Sequence, residues 1–248
     1  MNRHLTPDRF LVSWTAVGGD DFPFPLRYRT TAMWEGDHLA NLEAARTWRH
    51  QSPDPALDAA LRTLSAAQIA VEVYGRSTDP AAEVFVRAAV DGERAVLARQ
   101  DPAAGDIRLV TTTSERLPYV LLEQLPRVAA GREPARSAPS HDVLGPTGLG
   151  AIRRPAIDTH AESLRRLLRR ERSATGSIRI LRHSNPGYTP VADIGWFDVV
   201  GDGRYLFRPG ADLRIGPGTV DAFARELSAQ MCRPRRSSGD RHWTLRQT

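Results

Sequence analysis

The sequence predicts an α+β protein whose fold is a pseudo-two-fold arrangement of duplicated helix–four-strand–helix units. We expect a central antiparallel sheet with flanking helical bundles. Three observations lead to this prediction. The order helix, strand, loop, strand, Asp-Gly turn, strand, strand, helix occurs twice in the 248 residues. The two copies keep a nearly constant offset, 107 residues from Val71 to Ile178 and 111 from Asp91 to Asp202. Short Asp-Gly hairpins favour antiparallel pairing.

The first half begins with less regular segments and continues with two helices. Residues 10–14 and 22–28 are predicted to be extended, although the first could instead be a short helix. Helices are predicted over 35–50 and 54–66. The second of these places four apolar residues at helical spacing and has Asp54 as its N-cap.

Four strands and a short helix complete the first half. The predicted strands are 69–74, 84–90, 95–98 and 107–111. Asp91-Gly92 is the predicted hairpin turn between the second and third strands. A short helix is predicted over 117–125.

The second half repeats this order. A helix is predicted over 159–172, followed by strands at 178–181, 194–199, 205–207 and 213–215. Asp202-Gly203 is the corresponding hairpin turn. Thr219 is predicted to cap a last helix that has Val220, Phe223, Leu227 and Met231 on one face.

Composition divides the chain into four parts. Residues 1–130 form the N-terminal half and residues 158–232 the C-terminal half. Residues 131–157 are rich in proline and glycine, which predicts a linker. Residues 233–248 are predicted to be a flexible basic tail, in which Trp243 could either fold back on the body or anchor a partner.

All 34 basic residues are arginine, and the net charge of +5 is unevenly distributed. Residues 153–172 carry a net charge of +4, residues 233–248 carry another +4, and the remainder carries −3. The positive charge is therefore local. A nucleic-acid-binding or regulatory module that uses these two segments is the alternative function, although nucleic acid is the less favoured partner.

The sequence lacks the usual signatures of enzymes and metal sites. One cysteine excludes an internal disulfide framework and a thiolate-rich zinc site. There is no phosphate-binding glycine loop, no Gly-x-Ser-x-Gly and no His-Glu-x-x-His. We therefore predict no catalytic residues, no metal and no cofactor. With neither a signal peptide nor a membrane span in the sequence, a cytoplasmic protein is expected, and a monomer is slightly favoured.

Several segments together resemble the EspG family, cytosolic chaperones associated with ESX (type VII) secretion in actinobacteria. Residues 5–8 (Leu-Thr-Pro-Asp), an apolar run and then 22–26 (Phe-Pro-Phe-Pro-Leu) resemble the opening of these proteins. The helix 54–66 leading into Val-Glu-Val-Tyr, the run Gly-Ser-Ile-Arg-Ile and the run Gly-Trp-Phe-Asp before the second turn also fit. The resemblance covers residues 5–231 and depends on the order of these segments.

The resemblance implies a function without catalysis. EspG-like proteins have a pseudo-two-fold fold and bind PE–PPE protein pairs by gripping the apolar tip of the PPE helical bundle. This binding keeps the cargo soluble and directs it to the secretion machine. The resemblance leaves open a different helical-hairpin substrate as the partner of this chain.

The resemblance also indicates candidate contact residues. In the family, a loop between strands of the first repeat and the C-terminal helical region contact the cargo. Carried over to this sequence, the loop lies at about 75–82, and the candidate partner-binding residues are Gly75, Arg76, Ser77, Thr78, Asp79, Val220, Phe223 and Leu227.

Overall fold

A computed structural model describes residues 1–30, 32–145, 159–185 and 187–232 of the chain. The first half contains β1 (Asn2–Leu5), α1 (Pro7–Ala16), α2 (Glu35–Gln51), α3 (Pro55–Ala66), β2 (Ile69–Ser77), a 3₁₀ helix (Pro80–Ala82), β3 (Val84–Asp91), β4 (Arg94–Gln100), β5 (Ile107–Thr113) and α4 (Leu117–Leu122). The second half contains β6 (Arg136–Pro139), α5 (Ser140–Leu144), α6 (Thr159–Leu168), β7 (Arg172–Ser184), β8 (Gly187–Val199), β9 (Gly203–Arg208), β10 (Asp212–Pro217) and α7 (Val220–Met231).

The strands form one large antiparallel sheet that runs through both halves. Its ten strands follow the order β1-β5-β4-β3-β2-β7-β8-β9-β10-β6. The long strands of each half are sequential neighbours, and β2 pairs with β7 where the halves meet, with Gly75 opposite Gly176. The short strands β1 and β6 form the two outer edges. The predicted α+β class with a central antiparallel sheet is confirmed.

Helices cover both faces of the sheet. On the face that we call the front, α4 and α7 pack over apolar residues of strands from both halves, and the two helices contact each other. On the back face, α1 and α3 cover the first half, while α5 and α6 cover the second. The front core therefore spans the junction, and each half has its own back core.

The N-terminal segment differs from the extended conformation predicted for 10–14. This segment lies in helix α1, so the alternative of a short helix is correct. Thr6 caps the helix by accepting a hydrogen bond from the Arg9 N–H, with Pro7 at its first position. Phe10 and Trp14 point from the same side of the helix into the back core, and their spacing of four residues is typical of a helix.

Residues 22–28 do not form a strand either. The backbone N–H of Arg27 donates to Oε1 of Gln100 at 2.8 Å, and Nε2 of Gln100 donates to the Arg27 carbonyl at 2.6 Å. A side chain therefore satisfies the backbone groups that a neighbouring strand would otherwise pair. Burial of Leu26 in the back core fixes the loop in place.

Other predicted elements are confirmed with shifted ends. The helices predicted at 35–50 and 54–66 are α2 and α3, and Asp54 accepts the N–H groups of Ala56 and Leu57. The helix predicted over 159–172 ends at Leu168, because β7 already begins at Arg172. Strands β7 and β8 each have 13 residues and are much longer than predicted.

Part of the predicted linker belongs to the sheet. Within 131–145, strand β6 pairs with β10 and α5 packs in the second back core. Proline is tolerated here because an edge strand has one side free of ladder hydrogen bonds. Residues 136–144 of the predicted linker thus form regular elements of the second half, while 146–158 and the tail 233–248 lie outside the described residues.

Candidate partner-binding surface

Gly75 does not lie in a loop, in contrast to the prediction. It is a buried residue of β2, opposite Gly176 of β7, and the indole of Trp196 lies against both glycines. A Cβ atom would come within 2.8 Å of this ring at Gly75 and within 2.2 Å at Gly176. Gly75 therefore makes room for a core tryptophan and is not available to a partner.

Arg76 stands at the exposed end of the same strand. Its side chain is 69% exposed. Its Nη1 donates to the hydroxyl of Tyr74 at 3.3 Å, and its Nε lies 3.5 Å from a carboxylate oxygen of Glu83. Such an exposed ion pair is weak, so the guanidinium can reorient toward a partner.

Ser77 and Thr78 are tied to the start of β7, and Asp79 caps the 3₁₀ helix that follows them. The N–H of Thr78 donates to the Ser173 carbonyl at 2.8 Å, and the Ser77 hydroxyl donates to the same oxygen at 3.2 Å. Asp79 caps the 3₁₀ helix by accepting the Ala81 N–H at 3.0 Å. Thr78 and Asp79 are exposed, so this turn offers fixed polar groups at the surface.

The three predicted residues of α7 separate into one surface residue and two core residues. Val220, the first residue of the helix, is 59% exposed. Phe223 and Leu227 are buried in the front core. They lie on the helix face that packs against the sheet, so their assignment as partner contacts is incorrect for this conformation.

The predicted loop and the start of α7 lie at the same end of the sheet. One cross-strand row runs from Ser77 through Ala174 and Asp198 to Arg204. The Arg204 carbonyl accepts the N–H of Gly218, which directly precedes the cap of α7. Three strand spacings of about 4.8 Å separate the ends of this row, or about 14 Å.

Two exposed valines that the sequence analysis missed lie at this end. Val200 is 50% exposed in the turn between β8 and β9. Val128 is exposed beside Ala129, whose carbonyl accepts the Arg204 N–H at 2.7 Å. A valine directly before Gly-Asp-Gly was a usable signal, because a turn residue of this kind seldom faces the core. We call Arg76, Thr78, Asp79, Val128, Val200 and Val220 the rim surface.

A buried ion pair lies beneath the rim surface. Arg204 donates from Nε and Nη2 to the two carboxylate oxygens of Asp198, at 2.7 Å each. Both side chains are almost completely buried. This two-point geometry fixes β8 against β9 and holds the turn that carries Val200.

Asp202 ties the same turn to the chain that precedes β6. Its carboxylate accepts the Arg132 N–H at 2.9 Å, the Tyr205 hydroxyl at 2.7 Å and a guanidinium N–H of Arg170. Burial acts to raise the pKa of Asp202, but these hydrogen bonds outweigh it and hold the pKa below its usual value. The ionised carboxylate thus holds this part of the rim surface in a fixed conformation before a partner binds.

A second set of charges joins the two halves on the back face. Arg87, Glu72, Arg179 and Asp193 are direct cross-strand neighbours on four adjacent strands, with alternating sign. Nη1 of Arg87 donates to Glu72 at 2.6 Å inside the protein. Burial raises the pKa of Glu72, and the two arginines only partly offset this. The row fixes the register of the β2–β7 junction. Glu72 and Arg87 are buried, so they cannot contact a partner.

The arginine-rich segment of the alternative nucleic-acid hypothesis is partly engaged inside the protein. Arg170 pairs with Asp202, and the Arg172 guanidinium lies 4.7 Å from the centre of the Phe197 ring. Arg153, Arg154 and the tail lie outside the described residues. These contacts give the turn after α6 and the start of β7 an internal structural role.

The described part of the chain has neither a metal-binding cluster nor a helix that could span a membrane. There, no group of three His, Cys, Asp or Glu side chains is arranged to hold a metal ion. None of the described helices combines the length and apolar character needed to cross a bilayer.

One family model matches most of the chain. The model of the EspG family matches residues 6–229. Among solved structures, the chain is similar to the type VII secretion system chaperone EspG5 of Mycobacterium tuberculosis, determined in complex with a PE25–PPE41 dimer. The TM-score is 0.65 at 17% sequence identity, and the match covers 93% of this chain and 96% of that chain. A comparison with curated proteins gives no match.

Proposed function

This chain belongs to the EspG family, and we propose that it is a non-enzymatic chaperone of type VII (ESX) secretion in the cytoplasm. It binds the apolar tip of a PE–PPE-like helical pair, keeps the pair soluble and directs it to secretion. The observation that supports this most is the family match over residues 6–229. The shared fold with EspG5, which was determined bound to a PE25–PPE41 dimer, is consistent with it.

The two halves are, in this proposal, copies of one duplicated unit, and the protein acts as a monomer. The strand order supports this, because reading outward from the β2–β7 junction gives four sequential strands and then a short edge strand on each side. Each half also closes with a helix, α4 or α7, on the front face. The first unit comprises residues 1–130, and the second includes β6 as the counterpart of β1.

The rim surface is the proposed contact with the cargo. Val128, Val200 and Val220 provide exposed apolar area, and Arg76 and Asp79 provide charged groups beside it. An apolar anchor region with a polar border is the usual anatomy of a protein interface. A helical tip buried there is withdrawn from water, which lowers its tendency to aggregate. Ser77 and Thr78 hold the turn in position for this contact.

The test uses a PE–PPE-like pair from the native host, co-expressed with the full chain. We expect the three proteins to elute together in size-exclusion chromatography. Val200→Asp combined with Val220→Asp should weaken binding at least about tenfold, because two carboxylates would be placed against apolar cargo. The measurement is isothermal titration calorimetry with the purified pair.

The control is Val191→Asp, which places one such carboxylate on an exposed valine of β8 outside the rim surface. It should bind like the unaltered chain. If the double variant also binds unaltered, the rim surface is not the contact. If no PE–PPE-like or other helical-hairpin pair elutes with the chain, the chaperone proposal itself fails.

A further inference from the structure

The N-terminal end of α2 exposes an unusual amount of apolar surface. Met33 is 85% exposed, Trp34 71% and Leu39 58%. With Phe24, they make up four of the ten large apolar side chains that are exposed among the described residues. We call Met33, Trp34 and Leu39 the α2 patch. This patch is separate from the rim surface, to which it contributes no residue.

Helix α2 is attached to the body mainly through its second half. Ala45 is the one buried residue among its 17. The Arg9 guanidinium lies 4.6 Å from the centre of the Trp48 ring, and Arg49 pairs with Asp58 of α3. In the first half, His38 packs against Tyr28 with ring centres 5.8 Å apart. The α2 patch thus lies on the more weakly held end of the helix.

The surroundings of the patch are acidic. Residues 18–43 contain five Asp or Glu residues and two Arg, a net charge of −3. Glu35 and Asp37 are exposed in the first turn of α2. The two arginines are directed elsewhere, since Arg27 lies over the Phe85 ring and Arg29 donates to the Pro102 carbonyl. The complement of this surface is a segment that combines positive charge with an aromatic side chain.

The chain itself contains such a segment. Residues 233–248, which lie outside the described residues, carry five Arg against one Asp and include Trp243. Trp243 is the eleventh residue after Cys232, so it can lie at most about 40 Å from that residue. A folded chain of this size has a radius of gyration of about 18 Å, and the reach of Trp243 is about twice that length.

We propose that residues 233–248 dock on the α2 patch of the same chain, with Trp243 against Trp34 and Met33. The arginines of this segment then face Glu35 and Asp37. The docking removes apolar area from water at the place where the body exposes the most of it. Trp34 lies in the acidic segment and Trp243 in the basic one. The aromatic contact anchors the segment, and the opposite charges orient it.

The test compares the full chain with full-chain variants by hydrogen–deuterium exchange, with no cargo present. Trp243→Ser should speed the exchange of amides in residues 33–42 about tenfold, because loss of the cover lets the end of α2 open. The reciprocal variant Trp34→Ala should speed exchange in residues 233–248, since a coupling between two sites acts in both directions. Sodium chloride at 0.5 M should reproduce part of both effects.

Two controls make the result decisive. Val191→Ala shortens an exposed side chain of β8, outside both surfaces, and should leave exchange at 33–42 unchanged. Amides of α3 should be unaffected in every variant. Unchanged exchange at 33–42 in Trp243→Ser would overturn the proposal. So would protection that disappears on dilution, since it would come from the tail of a second copy. Because no cargo is needed, the outcome does not depend on the chaperone proposal.

Discussion

Two hairpins with the same Asp-Gly signal have very different surroundings in this protein. Asp91-Gly92 reverses the chain between β3 and β4, and residues 91–94 are all exposed. Gly92 has a φ of +59°, and a Cβ added to it would meet no atom within 4 Å. Gly92 in this turn is therefore not enclosed by any other segment.

The turn before Gly203 is instead enclosed by the chain that precedes β6. A Cβ on Gly203 would lie 2.5 Å from the Ala129 carbonyl oxygen and 2.8 Å from the Ala130 carbonyl carbon. Asp202 accepts three hydrogen bonds, one of them from the backbone of Arg132. This turn is therefore locked to a neighbouring segment.

The residue pairs beneath the two turns differ in the same way. On the front face, Val90 and Ala95 are opposite each other below the first turn, and Asp198 and Arg204 below the second. The first pair is apolar, whereas the second is a buried ion pair. A turn signal thus specifies a reversal of the chain, while the contacts around the turn decide whether it can carry a fixed surface.

The largest expected effect comes from breaking the buried ion pair. Arg204→Met should lower the free energy of unfolding by about 3–5 kcal/mol, because Asp198 is left buried without its partner. Asp198→Val combined with Arg204→Met imitates the apolar pair of the other hairpin and should recover most of the loss. Urea denaturation of both variants measures this. A double variant as unstable as the single one would contradict the explanation.

Alanine substitutions at Gly203 and Gly92 should show how much stability is lost to steric contact and how much to backbone strain. Gly203→Ala should cost about 3 kcal/mol, because the added Cβ meets backbone atoms that cannot easily move. Gly92→Ala should cost only about 1 kcal/mol, the strain of a positive φ in open space. Midpoints of thermal unfolding provide the comparison. Equal costs at the two positions would show that residues 129–130 do not enclose Gly203.

The pH dependence of the free energy of unfolding should distinguish Asp202 in the second turn from Asp91 in the first. Asp202→Asn should cost about 1–3 kcal/mol at neutral pH, since hydrogen bonds to the ionised carboxylate are lost. The pKa of Asp202 is lowered in the folded state, so its contribution is complete above the unfolded pKa of about 4. The contribution is lost as pH falls through the lowered pKa.

Denaturation at several pH values from 7 to 2 checks this sign. The difference between the unaltered chain and Asp202→Asn should shrink below about pH 4. Asp91→Asn, the matched change in the exposed turn, should alter stability by less than about 0.5 kcal/mol. A difference for Asp202→Asn that grows on acidification would contradict the assignment of its hydrogen bonds.

Local patterns explain how much of the fold the sequence could predict. The helices α2, α3 and α7 and both Asp-Gly hairpins follow from helical spacing, capping residues and turn chemistry within a few neighbouring residues. Strand β6 could not be found in this way. It has four residues and ends in proline, and it forms because the edge of β10 is available. This pairing joins distant segments, since Pro139 lies opposite Asp212, 73 residues further along the chain.

The candidate site could be predicted only in part for a similar reason. The sequence located the turn near Arg76 and the start of α7, which share one end of the sheet. It did not show which side of α7 faces the sheet, so Phe223 and Leu227 were included with Val220. Amphipathic spacing identifies the apolar face of a helix. Whether that face packs on the protein's own core or on a partner depends on distant segments that the spacing does not reveal.

The smallest effect on stability is expected at Val200, in the turn between β8 and β9. Val200→Ser should change the free energy of unfolding by less than about 0.5 kcal/mol, because the side chain is half exposed. The same change removes apolar area from the locked turn and should weaken cargo binding several-fold. Glu93→Ser in the open turn is the matched control and should change neither quantity. Binding that weakens equally in both variants would mean that locking of the second turn has no part in recognition.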